Sequence, residues 1–551
     1  MDFSTFNRPH FIQKAVGSQY DLLVIGGGIT GAGIALDAAS RGLKTALVEK
    51  NDFSSGTSSK STKLIHGGLR YLKQFEVALV REVGQERAIV HKLAPHLVTA
   101  EKMLLPLTED GTFGKLMTSV GLMVYDILAG VESADQRIML DKNEALEKEP
   151  LLNKEEVIGG GLYAEYRTDD SRLTMEAIKT AVSHGAICLN YTEVIDFKYA
   201  DGKVNKAICK DLLTDEEVII SAKKIVSAAG PWVDELRDKD GSLKGKKLHL
   251  TKGVHLVFPQ NKLPVKQAIY FDVPDGRMIF AIPRGKITYV GTTDTDYYGD
   301  KNKILTEKAD AQYLIDSINN MFNDINLTID DVASTWAGVR PLIHEEGKSA
   351  SELSRKDEIF ESGSGLLSIA GGKLTGYRKM AEKIVDVVME KLEDSEGLEF
   401  VKCKTKTIAF SGGPFEHAEA VAQYRESIGK RLSSHKLNKY HAWYLVATYG
   451  KQSDPILEKF NELESQFKSA EEALLEAEIE YCLKNEMVAS ALDFIIRRTG
   501  RLFFDIDSIA QHKEFILNSL SKKLNWGIER ENAQQEAIDL AIFEASEIFK
   551  G

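Results

Sequence analysis

Gly26, Gly28 and Gly31 stand at the spacing G-x-G-x-x-G, and an acid, Glu49, closes the apolar run that follows. Residues of these types hold the ADP half of a dinucleotide. A glycine at 26 permits a tight turn, one at 28 lets a pyrophosphate approach the backbone, and one at 31 lets helix and strand pack closely. The anion then meets backbone N–H groups at the positive end of a helix, and Glu49 stands where a ribose diol is gripped. Directly after it, Thr57 to Tyr71 is rich in Ser, Thr, Gly and Lys. The hydroxyls of Ser58 and Ser59 suit a diphosphate, and His66-Gly67-Gly68 can bring bare backbone against a flat ring.

Three further groups carry chemistry. Arg340 has a planar fork that pairs with phosphate or carboxylate oxygens. His66 and His255 are the two motif-borne histidines, and imidazole titrates near neutrality as a proton acceptor should. Gly371-Gly372-Lys373-Leu374-Thr375 opens a helix, where N–H groups and a lysine stabilise negative charge.

These groups require a frame. Leu22 to Ile25 reads as a buried parallel strand, Ala32 to Ser40 as a helix and Thr45 to Val48 as a second strand. That order of elements makes the glycine spacing a specific signal. A helix is expected over 75–95 and another from Leu173 to His184, followed by a strand at Gly185–Leu189. Strands are expected at Thr192–Lys198, Lys203–Cys209 and Glu217–Ser221, and separately at Lys224–Gly230. Short strands at 254–258, 277–282 and 287–292 point to an antiparallel layer. Helices are expected near 415–434, 440–450, 454–463, 469–484, 486–498, 507–523 and 527–549.

The fold class is therefore α/β: a Rossmann-like dinucleotide domain interleaved with an antiparallel-sheet substrate domain, plus an all-α C-terminal domain. The expected division is 1–100 for the first part of the nucleotide domain and 101–330 for the substrate domain, with 172–232 on the nucleotide side. Residues 331–395 close the nucleotide domain, and 410–551 form the helical domain.

At 551 residues the chain has room for two or three cores. A net charge of -12 offers no general attraction to nucleic acid, and no basic cluster with interleaved aromatics is present. The 4 cysteines are scattered without a C-x-x-C pair, so neither a zinc site nor a disulfide framework is indicated, and they fit a reducing cytosol. No signal-peptide core and no uncharged span of membrane length is visible. Leu116 to Val131 comes nearest, but Asp126 interrupts it.

The glycine fingerprint, Ser58-Ser59, His66-Gly-Gly-Leu-Arg-Tyr71, Ala229-Gly-Pro-Trp232, Gly291-Thr-Thr-Asp294, Gly338-Val-Arg-Pro341 and Gly371-Gly-Lys-Leu-Thr-Gly-Tyr-Arg378 occur in this order. Together they resemble the FAD-dependent glycerol-3-phosphate dehydrogenases of the bacterial aerobic type. The likeness extends through Glu486-Met487, Asp493 and Arg497-Arg-Thr499. The wider relatives are the D-amino-acid-oxidase-like enzymes.

The resemblance implies FAD as cofactor, sn-glycerol 3-phosphate as substrate and a quinone as electron acceptor. Hydride passes from substrate C2 to the flavin while a base takes the C2 hydroxyl proton. It assigns Arg70, Tyr71, Arg340, Arg355 and Lys373 to the substrate. To the cofactor it assigns Gly26, Gly28, Gly31, Glu49, Ser58, Ser59, Gly67, Gly68, Leu69, Gly230, Gly371, Gly372, Lys373, Leu374 and Thr375. His66, His255, Arg340 and Lys373 are the candidate catalytic groups. Whether Lys373 serves flavin or substrate, and which histidine is the base, stays open. Asp294 is a candidate to orient one of these groups. Ala228 stands where many flavoproteins have threonine, a mild departure. The related oxidases carry a large insertion before the Gly371 motif, for which the short stretch after Arg355 leaves no room. A quinone acceptor implies contact with the cytosolic membrane face of a cytoplasmic or peripheral protein, and a homodimer is compatible. Two alternatives remain: an amino- or hydroxy-acid oxidase using Arg340 on a carboxylate, and a non-catalytic flavin-binding regulator.

Overall fold

A computed structural model describes residues 3–66, 77–109, 136–344 and 357–551. Its first layer is a sheet centred on Gln19–Ile25, which pairs in parallel with Glu217–Ser227 on one side and Thr45–Val48 on the other. Ile187–Leu189 and Leu367–Gly371 extend it in parallel, and Asp357–Glu361 adds an antiparallel edge. Leu22, Leu23 and Val24 are fully buried, as parallel strands covered on both faces must be. Helix Ile29–Ser40 packs between Asp170–Ser183 and Tyr377–Glu396. The approach to the latter is close, since a Cβ on Gly33 would stand 3.0 Å from the Tyr377 ring and 3.2 Å from Ala381.

The second layer is a mixed sheet running Thr295–Asp296, Leu248–Pro259, Ile287–Gly291, Met278–Arg284, Ala268–Asp272, Thr99–Thr108, Val157–Arg167, Leu64–Ile65. Ser334–Ile343 pairs along Leu248–Pro259 and places Arg340 opposite Thr251. Beneath it, helix Lys308–Met321 buries Ala311, Leu314, Ile315 and Ile318 against Phe258, Phe271 and Val290. The apolar residues of Ala418–Ser433, Lys439–Tyr449, Ser453–Leu463, Ala470–Asn485, Ile506–Leu524 and Ile528–Ser546 share a third core.

The structure departs from the expectations in four places. The expected strands at 217–221 and 224–230 are one continuous strand, Glu217–Ser227, because its outer half pairs with Lys203–Asp211 and its inner half with Gln19–Ile25. Residues Ser334–Ile343 lie in the substrate sheet rather than closing the nucleotide domain, which resumes at Asp357. The expected helix 486–498 is confined to the wide turn Asp493–Arg498. Met487 takes a φ of 51°, and the Asp493 carboxylate accepts from Ala489 N and Ser490 N at 2.8 and 2.9 Å, which holds the preceding segment out of the helix. An N-terminal helix, Arg8–Val16, was not anticipated. Arg8 joins it to Asp211 at 2.8 Å. Among the described residues no helix is long and apolar enough to cross a membrane; Leu116 to Val131 lies outside them.

Candidate active site

The strand Gln19–Ile25 ends at Gly26, whose φ of 114° only glycine adopts without strain. A side chain there would press on the Ala228 carbonyl at 2.6 Å, and one at Gly31 would run into the Gly26 carbonyl oxygen. Gly31 thus serves packing and does not line the cleft that opens here. Gly28 does line it. A Cβ at Gly28 would stand 3.1 Å from Ser58 Oγ, and that hydroxyl accepts from Ile29 N at 3.0 Å. Ser59 is buried, and its hydroxyl donates to the Gly56 carbonyl at 3.4 Å; of the serine pair only Ser58 lines the cleft. Glu49 accepts from Gly27 N at 2.7 Å and Asn51 N at 2.9 Å. Burial raises its carboxyl pKa, and these two N–H groups partly offset the rise.

The cleft continues past Gly230 to a second end lined by Thr62, Leu64, His66, Gly253, Gly338, Arg340 and Gly371 to Thr375. Together with its opening to solvent it spans about 1930 Å³ of space free of protein atoms. Gly371 and Gly372 both have positive φ, 78° and 80°, and bend the chain so that Lys373 precedes the turn Leu374–Gly376. Thr375 locks this turn to the opposite loop, accepting from His66 N and donating to His66 O, each at 3.1 Å. Arg340 enters from the second sheet. Its guanidinium meets Asp294 at 3.1 Å and donates to Thr292 Oγ1 at 2.9 Å. Asp294 thus orients the arginine.

His255 is buried behind this end rather than lining it. Its ring stacks on Trp336 at 4.8 Å, and its Nε2 lies 2.9 Å from Thr62 Oγ1. Trp336 Nε1 donates to Ser61 O, and Tyr289 Oη donates to Thr62 O, so the aromatic wall fixes the loop that carries Thr62. Burial, then the charges of Arg340 and Lys63, hold the imidazole pKa well below its ordinary value. The ring is therefore held neutral, and the same burial and charges disfavour its protonated form.

Two of the lining groups that the motifs left unmarked matter here. Thr62 links the cleft to His255. Lys60 lines the cleft between the two ends, and burial together with Arg497 pushes its pKa down to about 8. Both sit in the loop flagged only for its composition. Gly67, Gly68, Leu69, Arg70, Tyr71 and Arg355 lie outside the described residues.

The donor set fits a flavin dinucleotide. One end offers bare glycine backbone, an acid and a helix start whose first N–H groups have no carbonyl within the helix. The Trp232 indole N–H in the wall has no acceptor among the described residues. The other end joins glycine backbone, a lysine and an arginine.

Comparison with known proteins agrees. A family described as FAD dependent oxidoreductase matches residues 21–378, and the C-terminal domain of alpha-glycerophosphate oxidase matches residues 403–531. An aerobic glycerol-3-phosphate dehydrogenase of Bacillus subtilis (strain 168) is 49% identical over 544 residues, 98% of each chain. One from Staphylococcus aureus (strain bovine RF122 / ET3-1) is 50% identical over 552 residues, 99% of this chain and 98% of the other. The X-ray structure of the glycerol-3-phosphate dehydrogenase from Bacillus halodurans complexed with FAD superimposes with a TM-score of 0.85 at 44% identity, covering 99% of both chains. A glycine oxidase from Bacillus cereus, at 21% identity and a TM-score of 0.51, shares the fold. Identity near one half along the whole length, joined to a cleft of this chemistry, places the chain in the aerobic glycerol-3-phosphate dehydrogenase family of FAD-dependent oxidoreductases.

Proposed function

We propose that the protein oxidises sn-glycerol 3-phosphate to dihydroxyacetone phosphate with FAD and passes the electrons to a quinone. One observation carries the reading: a single cleft joins a dinucleotide-binding turn to an Arg340–Asp294 pair with neutral His255 behind Thr62. Bound FAD supplies the hydride acceptor. Gly26, Gly28, Ser58 and Glu49 hold its ADP half, while Gly230, Gly371, Gly372, Leu374 and Thr375 hold the ring end. Gly31 supports them by packing.

Arg340 binds the substrate phosphate, held in orientation by Asp294 and Thr292. Lys373 adds a second positive charge, as Arg70 and Arg355 do in the family pattern. Thr62 Oγ1 passes the proton of the C2 hydroxyl to His255 Nε2, and the substrate phosphate held on Arg340 offsets the positive charge that keeps the free imidazole a weak base. His66 lines the cleft and, through Thr375, holds the loop and the double-glycine turn together. The quinone requires at least transient contact with a membrane surface, and a homodimer is compatible with this chemistry.

The test is an anaerobic titration of the FAD-loaded protein with sn-glycerol 3-phosphate, followed by flavin absorbance. Bleaching by this compound but not by glycerol or D-amino acids is expected. A flavin that dithionite reduces and glycerol 3-phosphate does not would overturn the reading.

A further inference from the structure

The loop that follows Glu49 is held from the far end of the chain. Asp52 is fully buried. Arg498 grips it with both Nη atoms, at 2.7 and 2.8 Å, and Arg497 Nε reaches it at 2.5 Å. Asn190 Nδ2 donates to the same carboxylate at 3.0 Å. The arginines are themselves fixed. Arg498 Nη2 donates to the Glu486 carbonyl at 2.7 Å, and Arg497 Nη2 meets Asp493 at 2.6 Å. The Glu486 carboxylate is forked by Arg172 of helix Asp170–Ser183 at 2.7 and 2.8 Å.

On its other side the loop touches the cofactor-binding turn directly. Asn51 N donates to Glu49 Oε1 at 2.9 Å, Ser54 N donates to the Gly27 carbonyl at 3.0 Å, and Ser55 N donates to Asp52 O at 3.2 Å. Asp52 therefore ties the guanidinium groups of the C-terminal arginines to a segment bonded on both flanks to the glycine turn and the acid, and Ser54 adds a weaker link through Ser171, which donates to the Arg497 carbonyl at 3.0 Å. A buried ionic cluster is seldom the most stabilising way to fill a core. A bidentate arginine–carboxylate pair does set orientation, which is what a ribose-binding acid needs.

We propose that the helical C-terminal domain is a clamp on the cofactor site. Arg497 and Arg498 hold Asp52 so that residues 51–55 keep Glu49 and Gly27 in the geometry that grips the adenosine half of FAD. Asp52, Arg497 and Arg498 are positioning residues; none of them need touch the cofactor. The inference rests on FAD occupying the cleft.

The test uses the full chain stripped of FAD and retitrated with it, binding being read from quenching of flavin fluorescence and folding from the melting of the apoprotein. Asp52→Asn and Arg498→Lys are expected to raise the Kd for FAD by about tenfold or more. Ser334→Ala is the control. It breaks a different buried contact between the two regions, the bond that Ser334 Oγ donates to the Phe503 carbonyl at 2.7 Å. It is expected to lower the melting temperature and leave the Kd unchanged. If either buried variant fails to fold, Arg497→Gln, at a partly exposed position, decides by the same two readouts. Variants that melt earlier but bind FAD as the parent does overturn the clamp. A parent chain that binds no FAD overturns the cofactor reading itself.

Discussion

The two ends of the cleft are built in opposite ways. The adenosine end is local: Gly26, Gly28, Ile29 and Glu49 come from one strand–helix–strand unit, and most of its groups are backbone. The substrate end is assembled from distant pieces. Thr62 comes from a loop, His255 and Arg340 from two strands of the other sheet, and Lys373 from a turn between sheet and helix. A backbone site depends on conformation and tolerates side-chain change wherever glycine is kept. A side-chain site depends on charge and protonation, so single substitutions at the second end should act on chemistry and those at the first end on cofactor retention.

The largest expected effect tests that division. His255→Asn should lower kcat by about 10²–10⁴-fold, the range of a lost general base, with FAD content unchanged. Loss of flavin with the activity would break the comparison, because it would make His255 part of the cofactor scaffold. Arg340→Gln should raise KM for the phosphate substrate by about 10²-fold. Asp294→Asn should have a smaller effect in the same direction, since it removes orientation but leaves the cation. Steady-state kinetics at saturating FAD measure both, and equal losses in KM and FAD affinity would erase the boundary between the ends.

Two pH effects are weaker and sharpen it further. Burial alone would raise the Asp52 pKa, but the guanidinium charges of Arg498 and Arg497 outweigh it and lower the value to about 2. The folded pKa lies below the unfolded one, so the stabilisation is complete above the unfolded value and is lost as pH falls toward 2. It amounts to about 2 kcal/mol. Urea unfolding of the parent and Asp52→Asn should show a stability gap that closes with acid; a gap constant with pH counts against the ion cluster. Lys60 loses its proton near pH 8, its charged form being disfavoured by burial and by Arg497. Anion binding beside it should be full below that pH and weaken above it, by about fivefold. FAD affinity measured from pH 7 to 10 reads this out, and Lys60→Met should flatten the profile.

Much of this was legible in the chain order of residues. The glycine spacing, Glu49 and the Gly371-Gly372 turn depend on backbone conformation over a few residues, and that is what local composition encodes. Arg340 and Asp294 each stood in a recognisable motif, though their ion pair did not. The N-terminal helix Arg8–Val16 was missed because its nine residues bury only Arg8, Phe11 and Ala15, too short a stripe to read as periodic. The expected helix at 486–498 had helical composition, and capping by Asp493 overrode it.

What the sequence determined by itself is the cofactor-binding turn, because it resides in a short segment whose conformation follows from glycine, β-branched and apolar spacing, and, through its ordered motifs, a family resemblance that implied the type of chemistry. What only the tertiary structure decided is which groups meet. Thr62 beside His255, Lys60 on the cleft wall, Ser334–Ile343 in the substrate sheet and Asp52 under Arg498 all join residues far apart in the chain. Such contacts are selected by how two sheets and a helical domain pack together, and no local spacing records that packing.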